Sequence, residues 1–118
     1  MSEPVEVLQG TLDLLILKAL SLGPLHGWAI SKRIRDMSRD VLVVNQGSLY
    51  PALYRLEERG WIAGEESQSP EGRRIKRYRS TAAGRKQLAR DIERWSVFAT
   101  AVEHVIRTGT TSTSVPAL

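Results

Sequence analysis

The chain has 118 residues, a formal net charge of +4 and no cysteine. This length suits one domain with a small appended element and leaves little room for an internal active-site cavity. The missing cysteine excludes a disulfide scaffold, a thiolate zinc site and a cysteine nucleophile, and the positive charge favours a polyanionic partner.

The first third of the chain predicts two helices that are separated by a Gly-Pro break. The first helix covers residues 9–22, with Thr11 as a candidate cap and apolar residues at three- and four-residue spacing. Gly23-Pro24 ends it, because proline cannot continue the hydrogen-bond ladder. The second helix covers residues 26–37. The residues that we expect it to bury are Ala29, Ile30, Ile34 and Met37, and those that we expect it to show to water are Lys32, Arg33, Arg35 and Asp36.

A short strand and a third helix follow. The β-branched run of residues 41–44 predicts the strand. The helix should begin near residues 46–48 and stop at Gly60, and Pro51 should lie in its first turn, where a missing N–H is tolerated. Its predicted apolar stripe consists of Leu49, Ala52, Leu53 and Leu56.

Residues 61–67 and 73–81 predict a β-hairpin across the polar loop of residues 68–72. The second arm carries five cations, namely Arg73, Arg74, Lys76, Arg77 and Arg79. Such crowding of like charges on one strand favours an anionic partner, and DNA suits it best. The alternative is a solvated strand that Glu65 and Glu66 neutralise in part across the hairpin.

Residues 82–107 predict a long terminal helix with a heptad seam. The seam residues are Leu88, Ile92, Trp95, Ala99, Val102 and Ile106, and Phe98 and Val105 widen the seam on one flank. A strict heptad spacing favours a partner helix, so we expect this segment to form a dimer. The remaining tail, residues 108–118, is uncharged and is predicted to be disordered.

These elements together predict a mainly α fold with a small β wing. Residues 1–81 would form a winged helix-turn-helix DNA-binding domain, residues 82–107 a C-terminal dimerisation helix, and residues 108–118 the tail. No apolar run reaches the length of a transmembrane helix, and we expect a cytoplasmic, nucleoid-associated protein without a membrane partner.

The third helix is the candidate recognition helix, because the N-terminus of a helix presents unpaired N–H groups and a positive dipole end. Gln46 and Ser48 could reach base edges in a major groove, and Tyr50 could offer its hydroxyl to a phosphate. In the alternative interpretation, Ser48 is simply the helix cap and Tyr50 belongs to the core.

Cations outside the hairpin are weaker candidates for DNA contacts. Lys32 and Arg33, with Arg35, could flank the DNA backbone, although a solvated charged face is equally common. Arg55 could contact DNA or pair with Glu57 or Glu58 on the solvent face. The complete candidate set is Lys32, Arg33, Gln46, Ser48, Tyr50, Arg55, Arg73, Arg74, Lys76 and Arg77.

Trp95 lies at the centre of the seam, where packing in the dimer interface is the favoured role. In the alternative, the indoles of two protomers form a platform for a flat aromatic effector, with Phe98 beside it. His26 and His104 have no partner at metal-ligand spacing, so we expect no metal and no cofactor. No catalytic set is recognisable, and we do not expect an enzyme.

Over about residues 8–107, these motifs resemble the PadR family of bacterial transcriptional regulators, and more specifically its compact branch with a single C-terminal helix. The segments that carry the resemblance are residues 14–20, Gly23-Pro24, His26-Gly27-Trp28, residues 47–60, Gly72-Arg73, residues 81–84, and Gly84-Arg85 with Trp95-Ser96. The resemblance implies a homodimeric regulator, usually a repressor, that binds a palindromic operator and can be released by a small effector.

The wing departs from that family pattern at two positions. Arg77 and Ser80 stand where the family usually has an aromatic residue and a leucine, so the wing should have less apolar anchoring and more charge. A rival interpretation of the whole chain is a winged-helix protein-interaction module with only incidental DNA affinity.

Overall fold

The computed structural model describes residues 5–6 and 9–109. The elements in chain order are β1 (Val5–Glu6), α1 (Gln9–Ser21), β2 (Leu25–His26), α2 (Gly27–Met37), β3 (Leu42–Val43), α3 (Gln46–Glu58), β4 (Ile62–Gln68), β5 (Arg74–Ser80) and α4 (Ala82–Arg107). The predicted mainly helical fold with a small wing is confirmed. The predicted tail lies outside the described residues, apart from the turn of Thr108 and Gly109.

The chain divides into two compact units, Met1–Leu88 and Ala89–Leu118, and the division falls within α4. The core of the first unit is built mainly by α1 and α3. All four residues of the predicted α3 stripe are fully buried, so the periodicity identified that face correctly. The other core residues are Leu12, Ile16, Leu17, Ala19, Leu20, Ile30, Ile34, Val44, Ile62, Tyr78 and Leu88.

Four predictions for the first two helices are wrong. Ala29, which we expected to be buried, is only half-buried. Thr11 is not a cap, because α1 already begins at Gln9. Met37 lies at the C-terminal end of α2, where it is exposed rather than buried. Arg33 is partly buried instead of facing water, and its guanidinium donates a hydrogen bond of 3.2 Å to the carbonyl of Ala19.

The start of α3 is fixed by Asn45, whose Oδ1 accepts a hydrogen bond of 2.6 Å from the N–H of Gly47. Asn45 satisfies one of the donors that a helix N-terminus leaves unpaired. Pro51 lies inside the helix, so its predicted place in the first turn is wrong. The proline removes only the hydrogen bond to the carbonyl of Gly47, and that residue is exposed at the N-terminal end.

The predicted hairpin is confirmed as an antiparallel pair of β4 and β5, and β2 adds a third strand on the other side of β5. In the register, Gly64 faces Tyr78 and Glu66 faces Lys76. The remaining strands, β1 and β3, form a separate parallel pair. At the tip of the hairpin, Gly72 has a φ of 84°, a conformation that glycine adopts without strain.

The hairpin is tied to the first turn of α4. The Thr81 hydroxyl accepts a hydrogen bond of 3.0 Å from the N–H of Gly84 and donates one of 2.7 Å to the carbonyl of Gly60. A Cβ on Gly84 would overlap the carbonyl of Trp61, so the close approach at this position requires glycine. The start of α4 is thereby held against the base of the wing.

Candidate nucleic-acid interface

The exposed face of α3 presents polar and aromatic side chains at intervals of one helical turn. Gln46, Tyr50 and Tyr54 recur every four residues and all three are exposed. The Gln46 amide donates a hydrogen bond of 3.0 Å to the hydroxyl of Ser31 on α2. Such a stripe has the dimensions and the chemistry to lie along a major groove.

Tyr50 and Ser48 do not have the structural roles of the alternative interpretation. Tyr50 is 47% exposed, and one edge of its ring lies against Gly27, where a Cβ would approach a ring carbon to 2.9 Å. Ser48 is exposed and Asn45 is the helix cap. Both side chains therefore point outward from the N-terminal half of α3.

Two exposed aromatic residues, one in this stripe and one on α2, are absent from the candidates that the sequence provides. Tyr54 follows Tyr50 by one turn, and this spacing could have identified it. Trp28 is 61% exposed at the start of α2, where its ring stacks against His26 with 6.4 Å between the centroids. The sequence contains the His-Gly-aromatic motif, but nothing in the motif shows that the indole would be exposed.

The cations of α2 are engaged within the protein. Lys32 forms an ion pair of 2.9 Å with Asp36, one turn along the same helix, and Arg35 lies 3.6 Å from Asp40. Arg33 is held by the carbonyl of Ala19. Of the two α2 candidates for DNA contacts, Lys32 remains well exposed and Arg33 is partly buried.

Arg55 makes a tertiary ion pair rather than a local one. Its guanidinium lies 2.6 Å from the carboxylate of Asp13 on α1, and both side chains are partly buried. The predicted alternative, pairing with Glu57 or Glu58, is wrong. Arg55 therefore ties α3 to α1.

The five cations of the second hairpin arm divide into two groups. Lys76 pairs with Glu57 of α3 at 3.0 Å, and Arg79 lies 3.7 Å from Glu65 of β4. Neutralisation across the hairpin thus holds for Arg79, which lies near Glu65, and in part for Lys76, which Glu66 faces in the register. The remaining three, which make no ion pair with any residue that the structure describes, are Arg73, Arg74 and Arg77.

The unpaired arginines lie at the outer end and on the surface of the wing. Arg73 follows the loop glycine, Arg74 opens β5, and both are exposed. Arg77 is exposed farther along β5. Arginine in such positions can clamp a phosphate with two parallel hydrogen bonds or enter a narrow minor groove.

Two groups on the inner face of β5 have shifted pKa values. The hydrogen bond to Glu57 raises the pKa of Lys76 above its ordinary value of 10.5. Burial raises the pKa of Tyr78 above 10.0. At neutral pH, Lys76 is therefore charged and Tyr78 neutral.

The second unit carries an exposed apolar face on α4. Trp95 and Phe98 lie together with 5.9 Å between their ring centroids. Other exposed apolar residues there are Ile92, Val102, Val105 and Ile106, while Ala99 is half-buried. Leu88, which we predicted as part of the seam, is only 8% exposed and belongs to the core of the first unit.

The described residues contain no group of three or more His, Cys, Asp or Glu that could hold a metal ion. Within the same ranges, no helix is both long enough and apolar enough to cross a membrane.

Comparison with known proteins identifies related sequences and folds. A family model described as the transcriptional regulator PadR-like family matches residues 16–90. A transcriptional regulator from Clostridium thermocellum has a solved structure with a TM-score of 0.73 and 30% identity, covering 80% of this chain and 89% of that one. A PadR family transcriptional regulator from Eggerthella lenta gives a TM-score of 0.73 and 30% identity over 85% of each chain.

A curated transcriptional regulator of Mycobacterium tuberculosis is 40% identical to this chain over 57 residues. That alignment covers 48% of this chain and 52% of the other protein. This chain therefore spans about half the length of that relative.

Proposed function

Because the chain belongs to the PadR-like family of transcriptional regulators, we propose that it binds a palindromic DNA operator as a homodimer and acts as a cytoplasmic repressor. The resemblance predicted from the sequence is confirmed. The family consists of DNA-binding regulators rather than enzymes, as the sequence also led us to expect.

The observation that carries the proposal is that three exposed wing arginines, which make no ion pair with the residues that the structure describes, belong to the hairpin next to α3. The two elements are neighbours, since Lys76 of the wing reaches Glu57 of α3. Mutually repelling arginines gain stability when phosphates neutralise them, and the positive end of the α3 dipole favours the same ligand.

The two elements have different roles in this proposal. Gln46 and Ser48 contact base edges in a major groove, and Tyr50 and Tyr54 contact the backbone along the same groove. Arg73, Arg74 and Arg77 bind the flanking phosphates or the minor groove. Lys32 contributes at most a backbone contact.

Three of the candidates from the sequence are left out of the proposed interface. Arg33 and Arg55 are bound to α1, and Lys76 is bound to Glu57. These hydrogen bonds and ion pairs must be broken before the cations can bind a phosphate, which reduces the free energy gained on binding.

The homodimer would form through the apolar face of α4. Its members are Ile92, Trp95, Phe98, Ala99, Val102 and Ile106. Exposure of these six apolar side chains to water is unfavourable, and the same face of a second copy would cover them. Twofold symmetry would then place two half-sites about one helical turn apart. A small aromatic effector between paired Trp95 and Phe98 side chains stays a prediction from the sequence.

The salt dependence of DNA binding tests the proposal. The double substitution Arg73→Ala, Arg74→Ala removes two unpaired cations from the wing. We expect weaker binding to every duplex and a log Kd that changes less steeply with log salt, by about 0.9 for each phosphate that the wing no longer neutralises. Fluorescence anisotropy at several salt concentrations measures both quantities.

The matched control is Arg85→Ala, Lys86→Ala, which removes the same charge from exposed positions on α4. This control should keep most of the slope of the unsubstituted chain. An equal reduction of the slope in both double variants would mean that only net charge matters, and the wing would have no place in the interface.

A further inference from the structure

Lys76 lies near the middle of the basic strand, yet its ammonium forms an ion pair with another residue of the chain. Its ammonium lies 3.0 Å from Oε1 of Glu57 in the last turn of α3. It also lies 5.6 Å from the centre of the Tyr78 ring. The lysine is thus held by a carboxylate and by an aromatic face, both of which attract an ammonium group.

We infer that the Glu57–Lys76 ion pair fixes the wing against the recognition helix, and that Glu57 is therefore a positioning residue for sequence selection. This inference rests on the proposed function. The pair links α3, which would read the bases, directly to β5, which carries the wing arginines. It also withholds the charge of Lys76 from DNA, so the lysine contributes to selectivity rather than to general affinity.

Gly64 on β4 leaves room for the Glu57–Lys76 ion pair. Gly64 of β4 faces Tyr78 in the register. A Cβ on Gly64 would overlap Cε of Lys76 and would lie 3.1 Å from Oε2 of Glu57. A Cβ at this position would therefore require the end of the Lys76 side chain to move relative to the Glu57 carboxylate. The ion pair thus depends on three elements. Glu57 on α3 and Lys76 on β5 form it, and Gly64 on β4 leaves space for it.

The neighbouring residue supplies a matched control. Glu58 is exposed on the same turn of α3 and makes no ion pair with the part of the chain that the structure describes. Glu57→Gln and Glu58→Gln remove one negative charge each and preserve the size of the side chain. Only the first of them releases Lys76.

The experiment compares the unsubstituted chain with both variants on two DNA duplexes. One duplex is the sequence that the unsubstituted chain enriches from a random pool, and the other is a scrambled version of it. For Glu57→Gln we expect the ratio of the two Kd values to fall about three- to fivefold, the effect of removing one partly exposed ion pair. The salt slope on scrambled DNA should rise by up to about 0.9, because Lys76 can now bind a phosphate. Glu58→Gln should leave both the ratio and the slope unchanged.

A second variant tests the geometry without changing the charge. Gly64→Ala would displace the flexible end of Lys76, so it should lower the Kd ratio by a similar factor while the fold is retained. Circular dichroism checks the fold of each variant, and Gly64→Ala carries the test if Glu57→Gln does not fold.

Three results would overturn the inference. In the first, Glu57→Gln behaves like Glu58→Gln in both the Kd ratio and the salt slope. In the second, Gly64→Ala keeps the Kd ratio of the unsubstituted chain. In the third, the unsubstituted chain itself prefers no duplex, and then the proposed function fails as well. The first two results leave the proposed function standing.

Discussion

The raised pKa values of Tyr78 and Lys76 lead us to expect that alkaline pH destabilises the fold. Both groups have a raised pKa in the folded chain, so the unfolded chain loses these protons first. Their contribution to the free energy of unfolding is complete below pH 10 and decreases as the pH rises through the folded-state values.

Substitution of Tyr78 tests whether burial of its phenol causes the loss of stability at alkaline pH. Between pH 9 and pH 11 we expect Tm to fall less in Tyr78→Phe than in the unsubstituted chain, because phenylalanine has no proton to lose. Tyr54→Phe, which removes the hydroxyl of an exposed tyrosine, is the control, and its Tm should fall as much as that of the unsubstituted chain. If Tyr78→Phe shows the same alkaline decrease as the control, burial of the phenol does not govern the pH dependence.

Individual polar partners were the hardest features to predict from the sequence. Arg55 and Asp13 are 42 residues apart in the chain, and Lys76 and Glu57 are 19 apart. Local spacing instead favoured a pair between Arg55 and Glu57 or Glu58. Side chains on different elements come into contact only when those elements pack together. The periodicity of the sequence does not predict such contacts.

The elements themselves were largely predictable, because each rests on a local pattern. The buried stripe of α3 follows from three- and four-residue spacing, and the bounds of α4 agree with the prediction. The start of α3 near residues 46–48 was also predicted correctly, although Asn45 was not recognised as its cap. Only the place of Pro51 was predicted wrongly, because it is the sixth residue of the helix and lies beyond the first turn.

The cap of α3 has a consequence for DNA binding. Asn45→Ala removes the side-chain acceptor for the N–H of Gly47 and should lower the free energy of unfolding by about 1 kcal/mol. Because Gln46 and Ser48 belong to the same turn, fraying there should also reduce selectivity between duplexes. Asn45→Ser keeps an oxygen acceptor and should retain most of both properties.

For Asn45→Ala and Asn45→Ser, denaturant unfolding measures the stability, and the Kd values for the selected and the scrambled duplex measure the selectivity. An alanine variant with normal selectivity would show that the first turn of α3 does not read the bases.

For the whole molecule, the placement of Leu88 sharpens the proposed dimer. Leu88 lies in the core of the first unit, so the apolar face available to a partner runs from Ile92 to Ile106. We expect Trp95→Asp, Ala99→Asp to sediment as a monomer, because two carboxylates would be buried in the interface without partners.

Val97→Asp is a matched control for the dimer. Val97 is exposed, and helical periodicity places it on the face of α4 opposite Trp95. This variant should sediment as the unsubstituted chain does. A dimer that persists in the Trp95, Ala99 double variant would place the interface elsewhere.

Selection of DNA by the chain tests most directly whether it recognises an operator. The chain is incubated with a pool of random duplexes and excess competitor DNA, and the bound fragments are sequenced. We predict enrichment of one palindrome whose half-sites lie about one helical turn, or roughly 10 base pairs, apart. Recovery of the random pool without enrichment would show that the chain recognises no operator. That result would favour a protein-interaction module whose DNA affinity is incidental.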